Sequence, residues 1–215
     1  VGNPTTGDEK MTITWYGHSC FKIDDGNFSA VFDPYSPGSV PGLELPPLRA
    51  DICLCSHGHD DHCYARGVAL SGRDIAPGSE LISTFHDGVR GAERGKNTMA
   101  LIELGGVRIL HMGDIGHPLS PRLIEKIGRV DVLMIPVGGY YTIDALQAAD
   151  IKAALTPRLT IPMHYRGAGF GYSVLSGVED FAARCGDTEY FDTNIIEYET
   201  SARKCTAILK CPVKR

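Results

Sequence analysis

Short runs of apolar and β-branched residues recur along the chain at 12–16, 21–23, 30–32, 52–55, 81–85, 99–104, 107–110, 130–135 and 159–161. Their length and composition predict sheet strands. Helical signals are fewer. Ser120-Pro121 places a capping hydroxyl before a proline at the first helical position, Ser176-Gly177-Val178-Glu179 has capping-box spacing, and a third helix is expected after Thr142. Between Asp33 and Asp51, Pro34, Pro37, Pro41, Pro46 and Pro47 alternate with Gly38 and Gly42. That segment is too broken for regular structure and is expected to form a stiff loop, a wall beside any site.

Polar residues fall at telling places relative to these runs. His57 follows the run at 52–55, His86 follows 81–85, Asp114 follows 107–110 and His164 follows 159–161. Strand ends of this kind converge on one mouth. Gly138-Gly139-Tyr140-Tyr141, after the run at 130–135, is expected to add part of its rim.

The densest chemistry lies in His57-Gly58-His59-Asp60-Asp61-His62, which holds three of the eight histidines. Imidazole nitrogen together with carboxylate oxygen suits zinc first, with manganese or iron as alternatives, whereas calcium and magnesium prefer oxygen alone. His57 and His59 stand two apart and share a side only on extended chain, so the pair belongs to a strand end or loop. Asp61 and His62 are adjacent and diverge, which favours service to a second ion over crowding the first.

At 215 residues and 43 % hydrophobic content the chain can bury one good core, and one domain is expected over 11–215. Residues 1–10 read as an N-terminal extension, a processed end or an expression remnant. A formal charge of −5 with no Lys/Arg run argues against a general grip on nucleic acid. No apolar run approaches the length of a membrane span, so a soluble protein is expected. Seven cysteines, at 20, 53, 55, 63, 185, 205 and 211, show no zinc-ribbon spacing and fit a reducing cytoplasm. Cys63 follows His62 without reason to be a ligand, and oligomerisation is left open.

The ordered set Gly17-His18-Ser19-Cys20-Phe21, Phe32-Asp33-Pro34, the H-x-H-x-D-H box, Phe85-His86-Asp87-Gly88, Gly113-Asp114 and Ile161-Pro162-Met163-His164-Tyr165 resembles the metallo-β-lactamase superfamily. More closely it resembles the small branch related to ascorbate-phosphate lactonases and uncharacterised metal-dependent hydrolases, over Met11 to about Arg166. The resemblance implies an α/β fold, a four-layer αββα sandwich with two zinc ions at one edge. It implies His57, His59 and His86 on one metal, Asp61, His62 and His164 on the other, and Asp114 bridging. Flavodiiron relatives carry Glu where His59 stands, so the chain sides with the hydrolases. His111 rivals His86 as the third histidine, and His117 reads as a surface group. Asp33 resembles an aspartate that fixes an imidazole from behind, although a turn before Pro34 looks identical in sequence. His18 either lines the substrate cleft or caps a turn.

Two divalent ions offset by Asp61, Asp114 and a hydroxide leave a net positive centre that draws anions. The expected reaction is hydrolysis by a hydroxide generated at the two zinc ions, with Asp61 or Asp114 taking the proton. The substrate expected is a small anionic ester, lactone or phosphodiester. Arg90, Arg94, Lys96 or Arg166 could hold the anion, or could form a solvated basic loop. A noncatalytic metal-dependent metabolite-binding module is the alternative, and a nuclease ranks third.

Overall fold

In a computed structural model, residues 10–74, 78–201 and 203–213 are described. The extension expected over 1–10 lies outside them apart from Lys10. Among the described residues, fourteen strands and three α-helices run in the order β1 (Met11–Trp15), β2 (Phe21–Asp24), β3 (Ser29–Phe32), β4 (Leu48–Ala50), β5 (Ile52–Leu54), β6 (Val68–Leu70), β7 (Glu80–Phe85), β8 (Lys96–Leu104), β9 (Val107–His111), α1 (Pro121–Ile127), β10 (Val132–Pro136), α2 (Ala145–Leu155), β11 (Leu159–Met163), α3 (Glu179–Arg184), β12 (Thr188–Tyr190), β13 (Ile195–Tyr198) and β14 (Cys205–Ile208).

A five-stranded sheet, β13-β1-β2-β3-β5, packs on a seven-stranded sheet, β12-β14-β11-β10-β9-β8-β7. On β1 the inward Met11, Ile13 and Trp15 alternate with half-buried Thr12 and Thr14, as expected for a strand with one core face. The β10 and β11 strands are buried along their whole length, as parallel strands covered on both faces must be. Parallel crossovers β9-α1-β10 and β10-α2-β11 advance in one direction, so their right-handedness puts the helices on one outer face. This is the αββα arrangement with one difference. The outer face of β3 is covered by Tyr35, Val40, Leu43, Leu48 and Val68, from the proline-rich wall and the β4-β6 ladder.

All nine predicted runs are strands, with ends shifted by at most three residues. Five more strands escaped the sequence pattern. The β4 strand is a three-residue strand inside the segment expected to be pure loop, because Leu48 and Ala50 turn inward to the second core. The β12 and β13 strands are edge strands in which only Tyr198 is buried, so their hydrophobic alternation is weak. The Ser120 cap and Pro121 start of α1 are as expected, and α2 begins at a reciprocal Asp144-Gln147 capping box. The capping box expected at Ser176 does not form. Its amide donates to the Gly138 carbonyl at 2.8 Å, which ties Ser176 into a loop, and α3 starts at Glu179 with no side-chain cap.

Candidate metal centre

The β1, β3, β5, β7, β9 and β11 strands end on the same edge of the two sheets, which brings the segments that follow them together. His18, Asp33, His57, His86, Asp114 and His164 all lie within three residues of such an end. His18, Asp33 and His164 adopt left-handed backbone, with φ of 51°, 42° and 52°. Each such non-glycine residue costs about 1–2 kcal/mol, and such cost gathers where side chains must be aimed. Gly113, with φ 55°, sits so close to Ser56 and Asn97 that a Cβ would lie 2.4 Å from both side chains. Only glycine lets the chain pass there and deliver Asp114.

Hydrogen bonds from outside the cluster set the tautomers of its imidazoles. Asp33 accepts from the Ser56 amide at 2.7 Å and the Ser56 hydroxyl at 2.6 Å. The hydroxyl proton is thereby committed, so His57 Nδ1–H donates to Ser56 Oγ at 2.9 Å and His57 Nε2 keeps its lone pair. His62 Nδ1–H donates to Asp33 at 2.7 Å, and His86 Nδ1–H donates to the Tyr141 carbonyl at 3.1 Å. The Nε2 atoms of His62, His86 and His164 lie 3.2, 3.3 and 3.1 Å from one oxygen, Asp114 Oδ2.

Several of these atoms are buried without a hydrogen-bond partner: His57 Nε2, His62 Nε2, Asp114 Oδ1, and Nδ1 of His18 and His164. Nitrogen and oxygen lone pairs left unmatched in a protein interior are costly, and they are what a cation needs. Three sets have donor atoms within 4.8 Å of one another: His57-His59-His86, His57-His62-Asp114, and His18-Asp61-His62-His164. The residues therefore fit a metal centre. His59 is its exposed member.

Charge follows the same arrangement. Burial pushes His57 down to about 4 and His18 down to about 3, the latter helped by neighbouring His164. Burial opposes protonation of His62, but the Asp114 and Asp33 carboxylates outweigh it and hold its pKa well above the usual imidazole value. For Asp114, burial would raise the pKa, yet His164 and His62 keep it well below the ordinary range.

His111 lies outside the cluster chemically. Its Nε2–H donates to the Ser19 carbonyl at 2.9 Å, its Nδ1 accepts from the Gly113 amide at 3.2 Å, and the ring stacks on Phe32. No ring nitrogen is left. His117 is half-buried, held to the Pro118 carbonyl. Cys63 is exposed. His18, open between cleft and turn in the sequence, is buried with Nε2 3.3 Å from Asp61 Oδ2.

Three residues were missed by the sequence reading. Ser56 links Asp33 to His57. Asn97 accepts the Asp114 amide at 2.9 Å and donates to the Met112 carbonyl and Thr84 hydroxyl. Tyr172 donates to the Ser39 carbonyl at 2.7 Å and sits 3.3 Å from Asp61 Oδ2. A polar Asn at a buried strand register and a Tyr in a glycine-rich turn were the only available signals. A cavity of about 300 Å³ opens over the cluster, lined by His59, Asp61, His86, Arg94, Asp114, Tyr141, His164 and Tyr172.

The profile of the β-lactamase superfamily domain matches residues 12–164. The chain belongs to that superfamily and is one of its metal-dependent hydrolases, with the cluster of histidines and aspartates as its candidate metal site. Within the superfamily it is similar to the UPF0173 metal-dependent hydrolase of Thermoplasma acidophilum, with 30 % identity over 73 % of this chain and 84 % of that protein. It is also similar to a UPF0173 protein of Pyrococcus furiosus, with 31 % identity over 72 % of this chain and 83 % of that one. A crystal structure from Thermotoga maritima, described as a candidate Zn-dependent hydrolase of the metallo-β-lactamase superfamily, superposes with a TM-score of 0.75. Identity to it is 31 %, covering 93 % of this chain and 98 % of that one. No helix among the described residues is long and apolar enough to cross a membrane.

Proposed function

We propose that the chain holds two divalent cations, zinc by preference, and hydrolyses a small anionic ester, lactone or phosphodiester. His57, His59 and His86 would hold one ion, Asp61, His62 and His164 the other, with Asp114 between them. The observation that carries this reading is Asp114 Oδ2, within 3.1 to 3.3 Å of imidazole nitrogens drawn from both proposed sets. Bound there, such ions bring the pKa of a water to about 7 and polarise a carbonyl or phosphoryl oxygen.

The protein's own groups supply the rest. Asp33, Ser56 and the Tyr141 carbonyl fix the Nδ1 protons and thereby aim the Nε2 lone pairs at the centre. His18 Nε2–H orients Asp61, whose side chain borders the cavity and takes the proton released on attack. The size of the cavity is at the low end for ligand sites, which favours a small substrate over a polymer.

Elemental analysis of the wild type beside His59→Ala and Asp114→Ala tests the cluster. Loss of about one ion is expected for His59→Ala, and of one or both for Asp114→Ala. Unchanged occupancy in both variants rejects the assignment. In parallel, the zinc-loaded protein is assayed on γ-butyrolactone and bis(p-nitrophenyl) phosphate. Chelator-sensitive turnover of at least one is expected, and none with either removes the proposed substrate range.

A further inference from the structure

We infer that Arg94 is a specificity residue that receives a single negative charge, a carboxylate, carried by the substrate away from the bond that breaks. The inference rests on the proposed hydrolytic reading and narrows its substrate class. Four cations near the site were candidates from sequence, and the structure separates them. Arg94 alone of the four lines the cavity. Arg166 Nε is spent on the Leu175 carbonyl, Lys96 lies on β8 paired across to Phe85, and Arg90 is exposed in the turn before Gly91.

Arg94 is held, yet its charge is not consumed. Asp87, buried next to His86, accepts four amides from the following turn: Val89 at 2.9 Å, Gly91 at 2.7 Å, Glu93 at 3.1 Å and Arg94 itself at 2.8 Å. This staple fixes the Arg94 backbone relative to His86. The guanidinium lies 5.7 Å from the centre of the Tyr141 ring, whose carbonyl in turn holds His86. A guanidinium this close to an aromatic face is attracted to it without using up its N–H donors. Among the described residues its one carboxylate within 4 Å is the neighbouring Glu93, at 3.4 Å and with a side chain 64 % exposed. A pair so exposed contributes little and yields readily to a better-placed anion.

The rest of the wall specifies the ligand. Tyr141 and Tyr172 meet edge to face, with ring centres 6.2 Å apart, and border the same cavity, so a short organic body can lie against this aromatic wall with its reacting end toward Asp114 and its charged end toward Arg94. One guanidinium matches one carboxylate, bidentate and charge for charge. A phosphate monoester, with nearly two charges, would be left undercompensated beside Asp61.

The test uses zinc-loaded wild type, Arg94→Gln and Arg94→Lys on γ-butyrolactone and on the same ring bearing a carboxylate or a phosphoryloxymethyl group. Wild type should prefer the carboxylated lactone. Arg94→Gln should raise its KM about 10- to 100-fold with little change in kcat, a penalty at least tenfold heavier than on the neutral ring, and Arg94→Lys should restore part of it. An equal penalty on charged and neutral rings overturns the inference, as does preference for the phosphorylated ring. Calorimetry with tetrahydrofuran-2-carboxylate, which has nothing to hydrolyse, separates the two readings. Binding weakened by Arg94→Gln at unchanged zinc content supports the anion site even if no lactone turns over, and that failure then counts only against the hydrolytic reading. Identical binding to wild type and Arg94→Gln overturns the anion site.

Discussion

Asp33 shows what a single residue contributes at a distance from the reacting atoms. Burial alone would raise its pKa, but His111 and His62 more than compensate and keep it anionic. It fixes both His62 and, through Ser56, His57. Asp33→Asn keeps the shape of the turn but leaves an amide that can donate where only an acceptor serves. It is expected to weaken zinc binding about 10- to 100-fold at unchanged far-UV circular dichroism. Chelator competition reads the change, and an unaltered affinity would reduce Asp33 to a turn residue. The box at 57–62 was legible because its ligand types are contiguous. Ser56, Asn97 and Tyr172 were not, since each is an ordinary polar residue until the fold gives it a partner.

Among elements, the helix layer is tied to the seven-stranded sheet partly through one carboxylate. Asp187, in the connection from α3 to β12, accepts from Lys152 on α2 and from Thr206 on β14. Burial acts to raise its pKa, but those partners win and it is depressed. The stabilisation is therefore fully present above the unfolded carboxylate value near 4 and is lost as pH falls through the lower folded value. With the pair part-exposed, its worth is roughly 1 kcal/mol. Asp187→Asn should lower Tm at pH 7 by about 2–4 °C, and the gap to wild type should close in acid. A gap independent of pH would mean that the residue acts through packing alone. Element ends were the least legible part of this scale: Ser176 carried a capping signal, yet its amide was claimed by Gly138 across the fold.

Over the whole molecule, the proline-rich wall is locked to the segment after β11. The Gly171 amide donates to the Pro41 carbonyl at 3.0 Å, Tyr172 reaches the Ser39 carbonyl, and a Cβ on Gly42 would fall 1.8 Å from the Gly169 carbonyl oxygen. Gly42 also has φ of 75°. Gly42→Ala must therefore separate the proline-rich wall from the loop that brings Tyr172 to the cavity. A loss of about 1–3 kcal/mol is expected, seen as a Tm lower by several degrees, together with a raised KM from the displaced Tyr172. An unshifted melting curve would show that the wall can part from its neighbour freely.

By itself the sequence determined the kinds of donor atom, the nine strong strands and the edge at which polar residues gather, because those depend on side-chain chemistry and on period along a short stretch. Tertiary structure decided which nitrogen of each imidazole faces inward, why His111 is spent and His86 is not, and which of four cations meets the cavity. Those outcomes hang on hydrogen bonds between residues far apart in the chain, 29 positions from Asp33 to His62 and 92 from Ser19 to His111. A local pattern carries no record of a partner that only folding brings within reach.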